Sequence, residues 1–127
     1  MIAFDASFLI DYLDGVEATR EVIESYDGKP FFAPSLALFE TYRGAARTDG
    51  PAGVERVVAA LDWLDPLPLT DGAAEEAALV EAELLNDGEP INLGDVLVAG
   101  ICRHHGATLV TRDAHFESVD GIEVRSY

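Results

Sequence analysis

Short apolar runs alternate with amphipathic stretches from one end of the chain to the other. Ile2-Ala3-Phe4 has the length of a buried strand, and Asp5 follows it. Phe8, Leu9, Tyr12 and Leu13 then fall at helical spacing until Gly15 closes the helix. A second helix is predicted over 16–26, with Val22, Ile23 and Tyr26 inward and Glu17, Glu21 and Glu24 outward. Asp27-Gly28 marks a turn before a strand at 31–33 that Pro34 stops. Ser35 is suited to cap a helix over 36–47, whose apolar side is Leu36, Phe39 and Ala46, with Glu40 flanked by them. Asp49-Gly50-Pro51 punctuates the chain, and the next helix carries Val54, Val57, Val58, Leu61 and Leu64 on one face.

Pro66-Leu67-Pro68-Leu69 is apolar but proline-bearing, which suits an edge strand. Thr70 or Asp71 caps an alanine- and glutamate-rich helix running to about Leu85, and residues 86–90 read as a loop. From Asn92 another helix buries Val96, Leu97, Ala99, Gly100 and Ile101, and it ends at Gly106, where a left-handed residue is needed. Residues 107–110 form a strand buried on both faces, and a last short strand is predicted over 122–124.

This alternation predicts one α/β domain, residues 1–127, with a parallel sheet flanked by helices through right-handed crossovers. All strands then end on one edge. Asp5 and Asp113 each lie just past a strand, and Asp95 and Glu40 lie in or near the first turns of helices entering from that edge. Each acid alone has an ordinary explanation: Asp5 and Asp113 as helix or turn caps, Asp95 as the acidic residue of a helix start, Glu40 as a solvated carboxylate at the edge of a stripe. Together they are four carboxylates in one cleft. Two unit charges about 4 Å apart repel by about 4 kcal/mol at an effective dielectric near 20. Such a cluster takes up protons or holds a cation. An all-oxygen donor set selects a hard divalent ion, Mg²⁺ or alternatively Mn²⁺, which suits hydrolysis of a phosphodiester.

Charge changes the picture further. The chain has 24 acidic against 8 basic residues, a net charge of −16, and its acids are spread along its length instead of massed in a tail. A surface of this kind fits a halophilic cytoplasm, where molar salt shortens the screening length to about 3 Å. No apolar run approaches the roughly 20 residues of a membrane helix, and the first residues lack the basic flank of a signal peptide, so a cytoplasmic location is expected. Cys102 lies on an apolar helix face and reads as a core residue. His104, His105 and His115 show no metal-ligand spacing and read as surface or structural residues.

Asp5-Ala-Ser7-Phe-Leu-Ile-Asp11 after the first strand, Glu40 with Gly44, Asp95 opening a helix, and Leu109-Val-Thr111-Arg-Asp113-Ala-His-Phe116 together resemble the PIN domains. The likeness is greatest to the VapC toxins of VapBC toxin–antitoxin pairs. It spans essentially the whole chain in order. The resemblance implies a PIN-like three-layer α/β/α fold with a central parallel sheet of about five short strands. It also implies a metal-dependent endoribonuclease, a homodimer, held inactive by a VapB-like antitoxin whose tail occupies the cleft. Carried over residue by residue, Asp5, Glu40, Asp95 and Asp113 would be the metal-binding and catalytic acids, with Ser7 and Thr111 as supporting hydroxyls. Asp11 has no evident ligand role. Arg43, Arg47 and Arg112 are candidate contacts to RNA phosphate, or else solvated or ion-paired arginines. Phe8, Tyr12 and their neighbours on the early helices are the expected dimer surface.

Two other readings compete. A PIN fold could keep its acids for stability or partner binding and cleave nothing. A receiver-like Mg²⁺-binding signalling domain shares the length and alternation but needs a lysine after its last strand, and the one lysine here is Lys29.

Overall fold

The computed structural model describes residues 1–127. Strands β1 (Ile2–Phe4), β2 (Phe31–Pro34), β3 (Asp65–Leu67), β4 (Thr108–Val110) and β5 (Glu123–Arg125) form one parallel sheet in the order β3-β2-β1-β4-β5. The earliest strand is thus the central one. It pairs Ala3 with Phe32 on one side and with Leu109 on the other. The proline-bearing β3 lies at an edge, where a missing N–H costs nothing.

The pleat sorts the core into two layers, because successive strand residues face opposite sides. Ile2, Phe4, Ala33 and Val110 pack with residues of helices α1 (Ala6–Leu13), α2 (Glu17–Ser25) and α3 (Ser35–Ala60) on one face. Ala3 and Leu109 pack with α4 (Asp71–Asn86) and α5 (Leu93–His105) on the other. The result is the expected α/β/α sandwich around five short strands. Helices α4 and α5 meet closely: a Cβ on Gly100 would stand 2.5 Å from both Cα and Cβ of Ala77. No helix is long and apolar enough to cross a membrane.

Most boundaries agree with the sequence pattern within one or two residues, and the departures have physical reasons. Pro34 completes β2 and occupies the cap position of α3, so Ser35 is the first helical residue and caps nothing. Gly50 (φ 62, ψ −148) breaks α3 internally, where Asp49-Gly50-Pro51 was expected to punctuate. The buried residues of α3 are Ala37, Thr41 and Gly53, and Phe39 is 54% exposed. The expected inward line of Leu36, Phe39 and Ala46 is therefore turned outward at Phe39. Val58 is likewise exposed. Phe8 is fully buried, stacked on Phe4 at 4.0 Å, which removes it from any dimer surface. Strand β5 lies one residue later than expected, at Glu123–Arg125.

Candidate metal centre

Asp5 leaves β1 and immediately caps α1: its Oδ1 accepts the Phe8 N–H at 3.0 Å and the Ser7 hydroxyl at 2.7 Å. Its Oδ2 accepts the Thr111 hydroxyl at 2.6 Å, a bond that crosses from the end of β1 to the end of β4. Thr111 Oγ1 in turn accepts the Asp113 N–H at 2.9 Å. These strands are neighbours at the point where strand order reverses, and the crevice beyond their carboxyl ends is where open α/β sheets bind ligands. Ser7 and Thr111, 3.3 Å apart through their hydroxyls, flank the Asp5 carboxylate.

Asp95 arrives from the start of α5. Asn92 caps that helix by accepting the Asp95 N–H at 2.9 Å, while its amide donates to Asp95 Oδ2 at 2.8 Å. The carboxylate is thereby held in the first turn, where the Asp113 charge and His115 reach it. Asp113 caps the 3-10 turn Ala114–Ser118 through Oδ1, which accepts the His115 N–H at 2.9 Å. Glu40 comes from α3, and a Cβ on Gly94 would lie 3.7 Å from its Oε2, so it rests against the first turn of α5. The capping roles and the shared cleft coexist, since an aspartate that caps a helix keeps lone pairs on its carboxylate.

The electrostatics tie all four acids together. Burial pushes the Asp5 carboxyl above the usual Asp range, against the lowering effect of its hydrogen bonds, and the Asp113 charge adds to the rise. Glu40 is raised by burial and then by the charge of Asp95, with Arg43 opposing and Asp5 reinforcing. Asp95 is raised by burial and by Asp113, with Asn92 and His115 opposing. A bound divalent cation would displace the protons these carboxyls give up reluctantly, and would hold the carboxylates in their charged form.

The remaining candidates divide. Arg43 lies over the Phe39 ring at 5.3 Å, and Arg47 is exposed. Arg112 is in an ion pair: its Nε donates to Asp11 Oδ2 at 2.7 Å. Asp11, given no role by the sequence, also accepts the Tyr127 hydroxyl at 2.7 Å and so fastens the segments after β4 and β5 to α1. His115 was read as a surface residue and is indeed exposed, yet it stands at the acids. Its Nδ1 is 3.1 Å from Asp113 Oδ1 and 3.6 Å from Asp95 Oδ2. The sequence offered Asp113 as the cap of a turn, which the structure bears out, but not the direction in which that turn sends the His115 side chain.

This fold and this cleft have relatives. A profile of the PIN domain matches residues 2–122, and the chain belongs to the PIN domain family. Within that family it is 31% identical over 115 residues to the tRNA(fMet)-specific endonuclease VapC of Shigella flexneri, across 87% of this chain and 84% of that protein. VapBC2 from Rickettsia felis, solved bound to a DNA fragment from its promoter, has the same fold. It aligns with a TM-score of 0.90 at 17% identity, covering 100% of this chain and 99% of that one. The DNA-bound VapBC from Salmonella typhimurium aligns with a TM-score of 0.86 at 24% identity, covering 99% and 98%. The receiver-like reading falls with this assignment.

Proposed function

We propose that this protein is a divalent-metal-dependent endoribonuclease, the toxin of a toxin–antitoxin pair, with Asp5, Glu40, Asp95 and Asp113 as its ion-binding acids. The observation that carries the reading is the gathering of carboxylates from β1, α3, α5 and the segment after β4, in which burial and neighbouring acids raise the proton affinity of Asp5, Glu40 and Asp95. The VapC endonuclease relative supports the activity, and the VapBC complexes among the structural neighbours support an antitoxin partner. A homodimer, expected from the resemblance, remains part of the proposal, formed by a surface other than Phe8.

The donor set fits Mg²⁺ or Mn²⁺. Such an ion supplies Lewis acidity toward a phosphoryl oxygen and lowers the pKa of water. The chain's own residues do the rest. Thr111 and Ser7 donate to Asp5 and fix its carboxylate. Asn92 fixes Asp95. Arg43 and Arg47, on the α3 turns following Glu40, are the free guanidinium groups nearest in sequence to an acid and would meet RNA phosphate. The large negative charge disfavours RNA at low salt, but in molar salt the counterion gain that drives phosphate binding is largely gone for any protein.

The test is cleavage of RNA in high salt with and without Mg²⁺ or Mn²⁺, beside calorimetric titration of the ion. Wild type is expected to cut only with the ion, and Asp5→Asn and Asp95→Asn to lose cleavage while staying folded by circular dichroism. Cutting at the parental rate by either variant would sink the assignment.

A further inference from the structure

The Asp113-capped turn brings one nitrogen donor to an otherwise oxygen-only site. Asp113 Oδ1 accepts the His115 N–H, and the curl this imposes returns the imidazole over the acids. One donor atom each from Asp95, Asp113 and His115 lie within 4.8 Å of one another. Donors on a single first-row ion at roughly 2.0–2.2 Å stand about 3–4.4 Å apart, so a small side-chain rotation suffices to close the set. The His115 side chain is 63% exposed, which leaves it room to make that rotation.

Imidazole is a poor ligand for Mg²⁺ and an increasingly good one along the first-row series. We infer that His115 is a nitrogen ligand at the rim of the acid site, and that it biases the site toward a first-row transition ion, Mn²⁺, over Mg²⁺. This rests on the proposed reading of the four acids as an ion site and names which ion that site takes. The competing role is that of an imidazolium counter-ion which neutralises Asp95 and Asp113 when no metal is bound. The two roles differ in sign. A ligand strengthens ion binding, whereas a counter-ion competes with the ion for the same carboxylates.

The experiment titrates wild type, His115→Gln and Asp95→Asn with Mn²⁺ and, separately, with Mg²⁺ by calorimetry, and records the pulsed electron-spin resonance of Mn²⁺-loaded protein. For His115→Gln the expected result is Mn²⁺ affinity lower by about tenfold or more, with Mg²⁺ affinity changed by less than about twofold. The ¹⁴N modulation seen in wild type should vanish in that variant, and Asp95→Asn should bind neither ion. Unchanged or tighter Mn²⁺ binding by His115→Gln, or no ¹⁴N modulation in wild type, overturns the inference while leaving the acid site standing. If wild type binds neither ion, the acid-site reading and the inference fall together.

Discussion

Thr111 and Asp5 are separated by 106 positions in the chain and joined by a hydrogen bond of 2.6 Å. Thr111 is almost wholly buried, donates to the carboxylate and accepts the Asp113 N–H, so one hydroxyl aligns two acids. Thr111→Val keeps the shape and removes both functions. The expected cost is about 1–3 kcal/mol in denaturant unfolding, from a buried charge and an N–H left short of partners. Ion affinity measured by calorimetry should fall with it, and Thr111→Ser should restore both.

The raised acids predict a pH dependence whose sign follows from proton counting. Asp5, Glu40 and Asp95 are raised in the folded state, so between their unfolded and folded values the native protein holds more protons than the unfolded chain. Their charged forms oppose folding at neutral pH. That opposition is relieved as pH falls through the raised values. Asp11 runs the other way: burial raises it, but the Tyr127 and Arg112 hydrogen bonds outweigh this and lower it, so its contribution is lost only in stronger acid. Glu40→Gln is therefore expected to raise the metal-free unfolding midpoint at neutral pH by about 2 °C, a small figure because solvent screens a half-exposed carboxylate. The difference from wild type should shrink as pH falls through the raised Glu40 value. A gap that widens on acidification would show that Glu40 is stabilised by its charge.

Gly100 is where α4 and α5 touch backbone to backbone. Gly100→Ala adds a methyl group 2.5 Å from Ala77 atoms, and the helices must separate to admit it. The strain should cost about 1–3 kcal/mol, read as a lower midpoint in urea. Gly44, where an added Cβ meets nothing within 4 Å, is the control, and Gly44→Ala should be neutral or slightly stabilising.

Salt is the fourth lever. With 24 acids and 8 basic residues, several of the cations are already spent on cross-links such as Arg103 with Glu76 and Glu83, both at 2.7 Å. Repulsion among the remaining carboxylates is left to the solvent. The thermal midpoint is expected to climb with KCl and level off near 1 M, where the screening length reaches about 3 Å. A midpoint that is flat or falls with KCl would count against the halophilic explanation of the charge.

What could be read from the sequence was set by short-range chemistry. Gly106, with φ 67, ends α5 as expected because no other residue takes that conformation cheaply. Asp5, Asp95 and Asp113 could be placed because each follows a strand or opens a helix, and strand order then carries them to one edge. The inward face of α3 was only partly legible: Leu36 packs against the core as expected, but the most deeply buried positions near it are the small Ala37 and Thr41, while the large Phe39 lies outside under Arg43. Size ordinarily signals burial, and here it misleads. The stacking of Phe8 on Phe4 and the return of His115 toward Asp113 depend on side-chain directions that periodicity does not encode.

Because the first-made strand sits at the middle of the sheet, its second neighbour is not synthesised until Thr108–Val110 leave the ribosome. A nascent chain that stops after Asn86 can pair β1 with β2 and β2 with β3, yet it contains neither Asp95 nor Asp113. Topology alone thus delays the gathering of the four acids until the residues that follow β4 have been made.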